Sequence, residues 1–163
     1  TDHQAEIPLE SCSMRVLLQR CSRGKVTVDG EVLGSIGRGL VVFVGTTHAD
    51  DESIAKDLAR RVAGYRVFPD ADGRTNLSVL DVGGEVLVIS QFTLYANTRK
   101  GTRPSFVRAG EPGRAEDLIE AFRHGLEEHG VPTAKGRFGA AMEVELVNDG
   151  PVTFILDEGP EGP

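Results

Sequence analysis

From Met14 onward, apolar and polar residues alternate in short stretches, so MRVLLQRCS and then KVTV read as strands. Asp29-Gly30 separates KVTV from EVLGSI, and Asp-Gly between alternating segments is the strongest short-range hairpin signal. Residues 40–47, LVVFVGTT, form a continuous apolar run after a glycine, the pattern of a strand buried on both faces. The period then lengthens. Asp50-Asp51 place acids where a helix begins, Ile54, Leu58, Val62 and Tyr65 recur at helical spacing, and Gly64 marks the stop. FPDADGRTN, residues 68–76, reads as a loop from its Pro, Asp and Gly content. After Gly83-Gly84, EVLVISQFTLYA reads as one long strand, and residues 97–113 form a loop too long to be a mere connection. A second helix carries Ala115, Leu118, Ile119, Phe122 and Leu126 on one stripe and ends at Gly130, with Pro132 beyond it. MEVELVN and VTFIL are the last two strands, joined at Asp149-Gly150-Pro151.

Strands come first and helices are interleaved later. That order predicts an α/β fold: a mixed, mostly antiparallel β-sheet curled into a barrel-like core with two helices packed against it. The 163 residues fit one core. The domain spans residues 14–157, after a disordered or foreign extension at 1–13 and before a frayed tail at 158–163. Gly34, Gly37 and Gly39 lie between strands and no GxGxxG opens a helix, which excludes a dinucleotide-binding unit.

Composition narrows the function. No apolar run approaches the roughly 20 residues that span a bilayer, and the segment before Met14 is polar and acidic, unlike a signal peptide. A cytoplasmic protein without membrane contact is expected. Cys12 and Cys21 form no CxxC, and His3, His48, His124 and His129 show no ligand spacing with them, so neither metal nor cofactor is expected. Cys21 reads as a small core or face residue, and free thiols suit a reducing compartment. The net charge of −7 argues against an extensive phosphate footprint. Yet Arg99, Lys100, Arg103, Arg108 and Arg114 cluster against the single acid Glu111, as either a solvated loop or a local phosphate-contacting patch.

Three segments could carry chemistry. Ser90-Gln91-Phe92-Thr93 is either the polar edge of a strand or a pocket wall of hydroxyls, an amide and backbone N–H groups. No His or acid adjoins it and GxSxG is missing, so no Ser-His-Asp triad is legible. Asn148-Asp149-Gly150-Pro151 has the composition of an ordinary turn. In Gly136-Arg137-Phe138-Gly139-Ala140-Ala141-Met142, Phe138 and Met142 either stack on a base or fill the core.

SQFTLYA at 90–96 and NDGPVT at 148–153 resemble the paired signature motifs of the D-aminoacyl-tRNA deacylases. The likeness runs from Met14 to about Leu156 through MRVLLQR, VTVDGEVLGSIGRGL, GYRVFPDADGRTNLSV, RPSF and GRFGAAMEVELVNDGPVTF; residues 1–13 depart from the family, which begins at the methionine. The resemblance implies a hydrolase that cleaves the ester of D-aminoacyl-tRNA, and of glycine mischarged on tRNA(Ala). It implies a homodimer with the acceptor end of tRNA bound at the interface, and no DNA partner. Ser90, Gln91, Phe92 and Thr93 of one subunit would form the catalytic segment, positioning the substrate beside backbone N–H groups while the free ribose hydroxyl helps activate water. Gly150-Pro151 of the other subunit, joined by a cis bond and braced by Arg20, would enter that pocket and reject L side chains. Phe138 and Met142 would pack around the adenosine. Two alternatives stay open: an esterase for small D-amino-acid esters with Thr93 or Ser90 as nucleophile, and a non-catalytic tRNA-end binding module.

Overall fold

Alternate side chains of the central strands feed two separate cores, and that division sets the architecture. The structure, a computed structural model, describes residues 14–158 apart from Ala49, Lys100 and Arg108. The extension at 1–13 with Cys12 and His3, the tail from residue 159, and two cations of the basic loop, Lys100 and Arg108, lie outside the described residues.

MRVLLQRCS and KVTV belong to one strand, β1 (Met14–Val28). It turns at Asp29-Gly30, with φ of 49° and 79°, into antiparallel β2 (Glu31–Ile36). Two positive φ values suit the twist of a tight hairpin. β1 also pairs antiparallel with β3 (Gly39–Gly45) and with β8 (Glu143–Glu158). β3 runs parallel to β6 (Glu85–Ser90), and β6 parallel to β7 (Thr133–Lys135). The sheet order is β2-β1-β3-β6-β7 with β8 on β1. Its ends nearly meet: a Cβ added to Gly34 of β2 would lie 3.0 Å from the Lys135 carbonyl of β7. The mixed, barrel-like sheet is thus as expected. The loop at 68–76 differs, because it holds a small ribbon of β4 (Phe68–Pro69) and β5 (Thr75–Leu77). Asp70 closes its turn by accepting the N–H groups of Asp72 and Arg74 at 2.9 and 3.0 Å.

Leu40, Val42 and Val44 of β3 join Val86 and Val88 of β6 in the core under the helices, while Val41, Leu87 and Ile89 join Cys21 and Val26 inside the barrel. The apolar run of β3 is therefore buried on both faces. α1 (Glu52–Gly64) is capped by Asp51, whose carboxylate accepts the Ile54 N–H at 2.9 Å. Asp50 does something else. It is buried and accepts the Met14 and Thr47 N–H groups at 2.7 and 2.6 Å, lashing the start of β1 to the turn before α1. α2 (Pro112–Glu128) begins with proline at its first turn, buries Leu118, Ile119, Phe122 and Leu126, and is followed by Gly130 at φ 87°. The helices approach where Gly125 faces Ala59; a Cβ on Gly125 would sit 2.7 Å from that of Ala59.

Two expected elements are corrected. EVLVISQFTLYA is not one strand: β6 stops at Ser90 and the chain turns into a 3-10 helix, Phe92–Tyr95. Its neighbour β3 ends at Gly45, so no ladder partner continues alongside. Nor are MEVELVN and VTFIL a hairpin. Both lie in β8 along β1, with Asn148 opposite Cys21 and Thr153 opposite Gln19. β8 advances five residues while β1 advances two, so the Gly150-Pro151 segment bulges out of a continuing strand.

Candidate active site

A cleft of about 570 Å³ opens where the parallel strands β3 and β6 end. The carboxyl ends of parallel strands are where open α/β sheets bind ligands. Gly45 and Thr46 form one wall, Ser90, Gln91 and Phe92 the next, Ile119 of α2 the third, with Phe138 and Met142 arriving from the segment before β8. Five of the residues expected at the site therefore meet: Ser90, Gln91, Phe92, Phe138 and Met142. Phe92 is 59% exposed and stands edge-on to Phe106, with ring centroids 5.0 Å apart, so two aromatic rings flank the opening. Met142 fits against Gly136, where any Cβ would approach its sulfur to 2.4 Å.

Thr93 is placed differently. Its exposed side chain is not in the cleft wall, and its hydroxyl accepts a hydrogen bond from the Gln91 carboxamide. The Gln91 N–H donates to the Val44 carbonyl at 2.8 Å, fixing the 3-10 helix to the end of β3. Gln91 provides no side-chain cap, and the N–H groups of Phe92 and Thr93, at the first turn, have no acceptor within the helix. Arg15 secures the other end: its guanidinium donates to the Leu94 carbonyl at 3.1 Å and to Asp157 at 2.6 Å, and lies 5.1 Å over the Tyr95 ring. The sequence reading missed Arg15 because it occupies an ordinary polar position in an alternating strand. It missed Thr46 too, a buried residue of the cleft wall that merely seemed to close an apolar run.

The long loop folds back on itself through paired Asn97–Ser105 backbone hydrogen bonds of 2.7 and 3.0 Å. The Gly110 N–H donates to Thr46, and His48 Nε2 donates to the Val107 carbonyl at 2.9 Å. These ties bring Phe106 to the cleft. Arg99 and Arg103 are exposed, whereas Arg114 holds the Asp50 carbonyl at 2.6 Å and joins the start of α2 to the turn before α1.

The Gly150-Pro151 bond is cis. Neither residue lines the cleft of its own chain, and the last described residue of the lining in chain order is Val144. Arg20 braces the bulge: Nε donates to the Asp149 carbonyl at 2.8 Å and a terminal nitrogen to the Val67 carbonyl at 2.7 Å. The Asn148 carboxamide spans the base, donating to the carbonyls of Arg20 and Val152 at 2.9 and 3.2 Å. A Cβ on Gly150 would meet the Val152 nitrogen at 2.5 Å and Asn148 Oδ1 at 2.7 Å.

None of the described lining residues carries an ionisable side chain. Among the described residues no His, Cys, Asp and Glu cluster could hold a metal, and no helix is long and apolar enough to cross a membrane. Buried Cys21 faces the barrel interior, where burial raises its thiol to about 11 and leaves it a poor nucleophile. The cleft thus offers hydroxyls, an amide, backbone donors and apolar walls. Such groups bind, orient and stabilise charge without themselves exchanging protons near neutral pH.

The fold is a barrel-like α/β sheet with two helices against it, and its cleft is walled by polar, uncharged and apolar groups. The family model for D-Tyr-tRNA(Tyr) deacylase matches residues 17–157, and the chain belongs to that family. It is 54% identical over 144 residues to a D-aminoacyl-tRNA deacylase of Geobacillus sp. (strain WCH70), covering 88% of this chain and 95% of that one. It is 56% identical over 140 residues to that of Idiomarina loihiensis, covering 86% and 97%. Among solved structures, the c-Myc DNA Unwinding Element Binding Protein superposes with a TM-score of 0.84 at 37% identity, covering 90% of this chain and 99% of that one. A probable eukaryotic D-amino acid tRNA deacylase shares the fold, with a TM-score of 0.77 at 16% identity over 89% and 99%.

Proposed function

We propose that this protein hydrolyses the ester bond of D-aminoacyl-tRNA in the cytoplasm, releasing the free D-amino acid and intact tRNA. The observation that carries the reading is a cleft of about 570 Å³ bounded by Ser90, Gln91 and the uncapped start of the 3-10 helix on one side and by Phe138 and Met142 on the other. Its size lies within the roughly 300–1,000 Å³ of small-ligand sites, enough for a terminal adenosine with its amino acid. Phe138 and Met142 pack around the adenosine. Ser90 and Gln91 orient the aminoacyl group, and the Phe92 and Thr93 N–H groups receive the negative charge that develops on the carbonyl oxygen. Water attacks the carbonyl carbon, the ester C–O bond breaks, and the released ribose oxygen takes a proton. With no ionisable group in the described lining, the neighbouring free ribose hydroxyl of the tRNA assists the water.

Selection by chirality falls to Gly150-Pro151 of a second copy in a homodimer. The segment stands out from β8, is braced by Arg20, and does not line its own chain's cleft. Its backbone bars an L side chain, leaves a D side chain free, and admits glycine, so glycine mischarged on tRNA(Ala) is also released.

Deacylation of D- and L-tyrosyl-tRNA tests the reading: selective release of the D form is expected. Thr93→Ala should keep a substantial part of the rate, because its hydroxyl is occupied by Gln91 and no base adjoins it. Replacing the free terminal ribose hydroxyl by hydrogen should remove most turnover. A trapped aminoacyl ester on Thr93 would overturn the mechanism.

A further inference from the structure

The cleft continues past Phe138. Ser90, Ile119 and Phe138 also line a second hollow of about 350 Å³, so the two cavities share a wall. The adjoining hollow differs in character, because charged residues build it: Arg123, Lys135 and Arg137 against Glu116 and Glu120.

Most of those charges are already committed. Arg123 is fixed by Glu120 at 2.8 Å, Glu127 at 2.8 Å and Thr133 at 3.2 Å. Lys135 donates to the other Glu120 oxygen at 2.9 Å. The exposed guanidinium of Arg137 is different: it donates to no described residue. It also precedes Phe138 directly in the chain, and Phe138 is the residue that packs on the terminal adenosine in the function proposed above.

Resting on that reading, we infer that this hollow is the subsite for the phosphodiester linking the terminal adenosine to the rest of the tRNA, with Arg137 as its binding fork. A nucleoside seated against Phe138 carries its 5′ phosphate out of the cleft, and the shared wall leads to Arg137, the cation of this hollow that pairs with no described residue. A planar guanidinium matches two phosphate oxygens at once. With Glu116 and Glu120 in the same wall the hollow stays near neutrality, which suits one phosphate rather than a run of backbone. A chain of net charge −7 grips tRNA at few points.

The test compares D-tyrosyl-tRNA with 3′-O-(D-tyrosyl)adenosine, which has the ester and ribose hydroxyls but no phosphate. Arg137→Gln should lower kcat/KM on the tRNA about tenfold, mainly through KM, and flatten the salt dependence by about one phosphate contact. On the adenosine ester its kcat/KM should change less than twofold. Arg137→Lys should recover part of the loss, and Glu116→Gln should lower KM for the tRNA alone. Equal losses on both substrates, or no loss on either, with wild type active on both, would overturn this assignment alone. Wild-type inactivity on both would overturn the reading of the cleft and this subsite with it.

Discussion

Gly39 and Gly136 both lack a side chain because something else occupies the space, yet replacing them has different consequences. A Cβ on Gly39 would fall 1.8 Å from the Glu85 carbonyl oxygen, on the backbone of the parallel partner strand. Backbone cannot step aside without breaking the first rungs of β3–β6, so Gly39→Ala should destabilise by about 3 kcal/mol or prevent folding. A Cβ on Gly136 would lie 2.4 Å from the Met142 sulfur, the mobile part of an unbranched side chain, and 3.3 Å from Val26 Cγ2, with no backbone atom among its nearest contacts. Gly136→Ala should cost about 1 kcal/mol and should raise KM as Met142 swings away from its place in the cleft. Urea unfolding of both variants decides the matter: similar costs would refute the distinction. Such contacts are invisible in one sequence, where Gly39 reads only as a residue between strands and Gly136 as the first residue of the segment that ends at Met142. The same limit hid Arg15, whose polar position in β1 gave no hint that it clamps Leu94 and Tyr95. Ser90, Gln91 and Phe92 were legible from the SQFTLYA motif, and Phe138 and Met142 from the stretch GRFGAAM that leads into the second motif.

Elements were legible where local periodicity and packing agree. Both helices follow their apolar stripes, and β3 its unbroken apolar run, because each lies against a core that rewards that pattern. The errors came where a neighbour decided the outcome. β6 ends at Ser90 because β3 ends beside it, and the apparent turn at 149–151 is a bulge because β1 continues along both halves of β8. The joint between α2 and β7 yields a pH prediction. Glu120 accepts hydrogen bonds from Arg123 and Lys135, which pull its carboxyl from the ordinary 4.5 down to about 2. A carboxyl lowered on folding stabilises the fold above the unfolded value and loses that contribution as pH falls through the folded one. The stability gap between wild type and Glu120→Gln should therefore be constant above pH 5 and close progressively between 4.5 and 2. The gap is modest, since the Glu120 side chain is 32% exposed and solvent screens the pairs. Thermal melts across that range would show it; a gap independent of pH would discard the coupling.

At the scale of the whole molecule, the cleft and the Gly150-Pro151 bulge lie on separate parts of the chain. The described cleft lining ends at Val144 of β8, while the bulge stands farther along the strand, opposite Gln19 and Cys21. In the function proposed above, each cleft receives the bulge of another copy. A two-fold dimer meets that need, because an isologous interface gives two equivalent composite sites. Exposed Val147, Phe154 and Ile155 on β8, on either side of the bulge, supply apolar surface for such a contact. Subunit complementation follows. Ala140→Trp plugs the cleft at a lining residue and leaves the bulge intact. Gly150→Ala spoils the bulge, since its Cβ meets the Val152 nitrogen at 2.5 Å, and leaves the cleft intact. Each homodimer should lose selective deacylation. Equal mixing with subunit exchange makes half the dimers mixed, and each mixed dimer has one site with both defects and one with neither. About a quarter of wild-type D-tyrosyl-tRNA deacylation should return, with its discrimination against the L form, by the symmetry of such pairs. The recovery should grow with exchange time and vanish when the dimers are cross-linked before mixing. No recovery between exchanging subunits would place the bulge and the cleft on the same chain's substrate and end the cross-subunit reading.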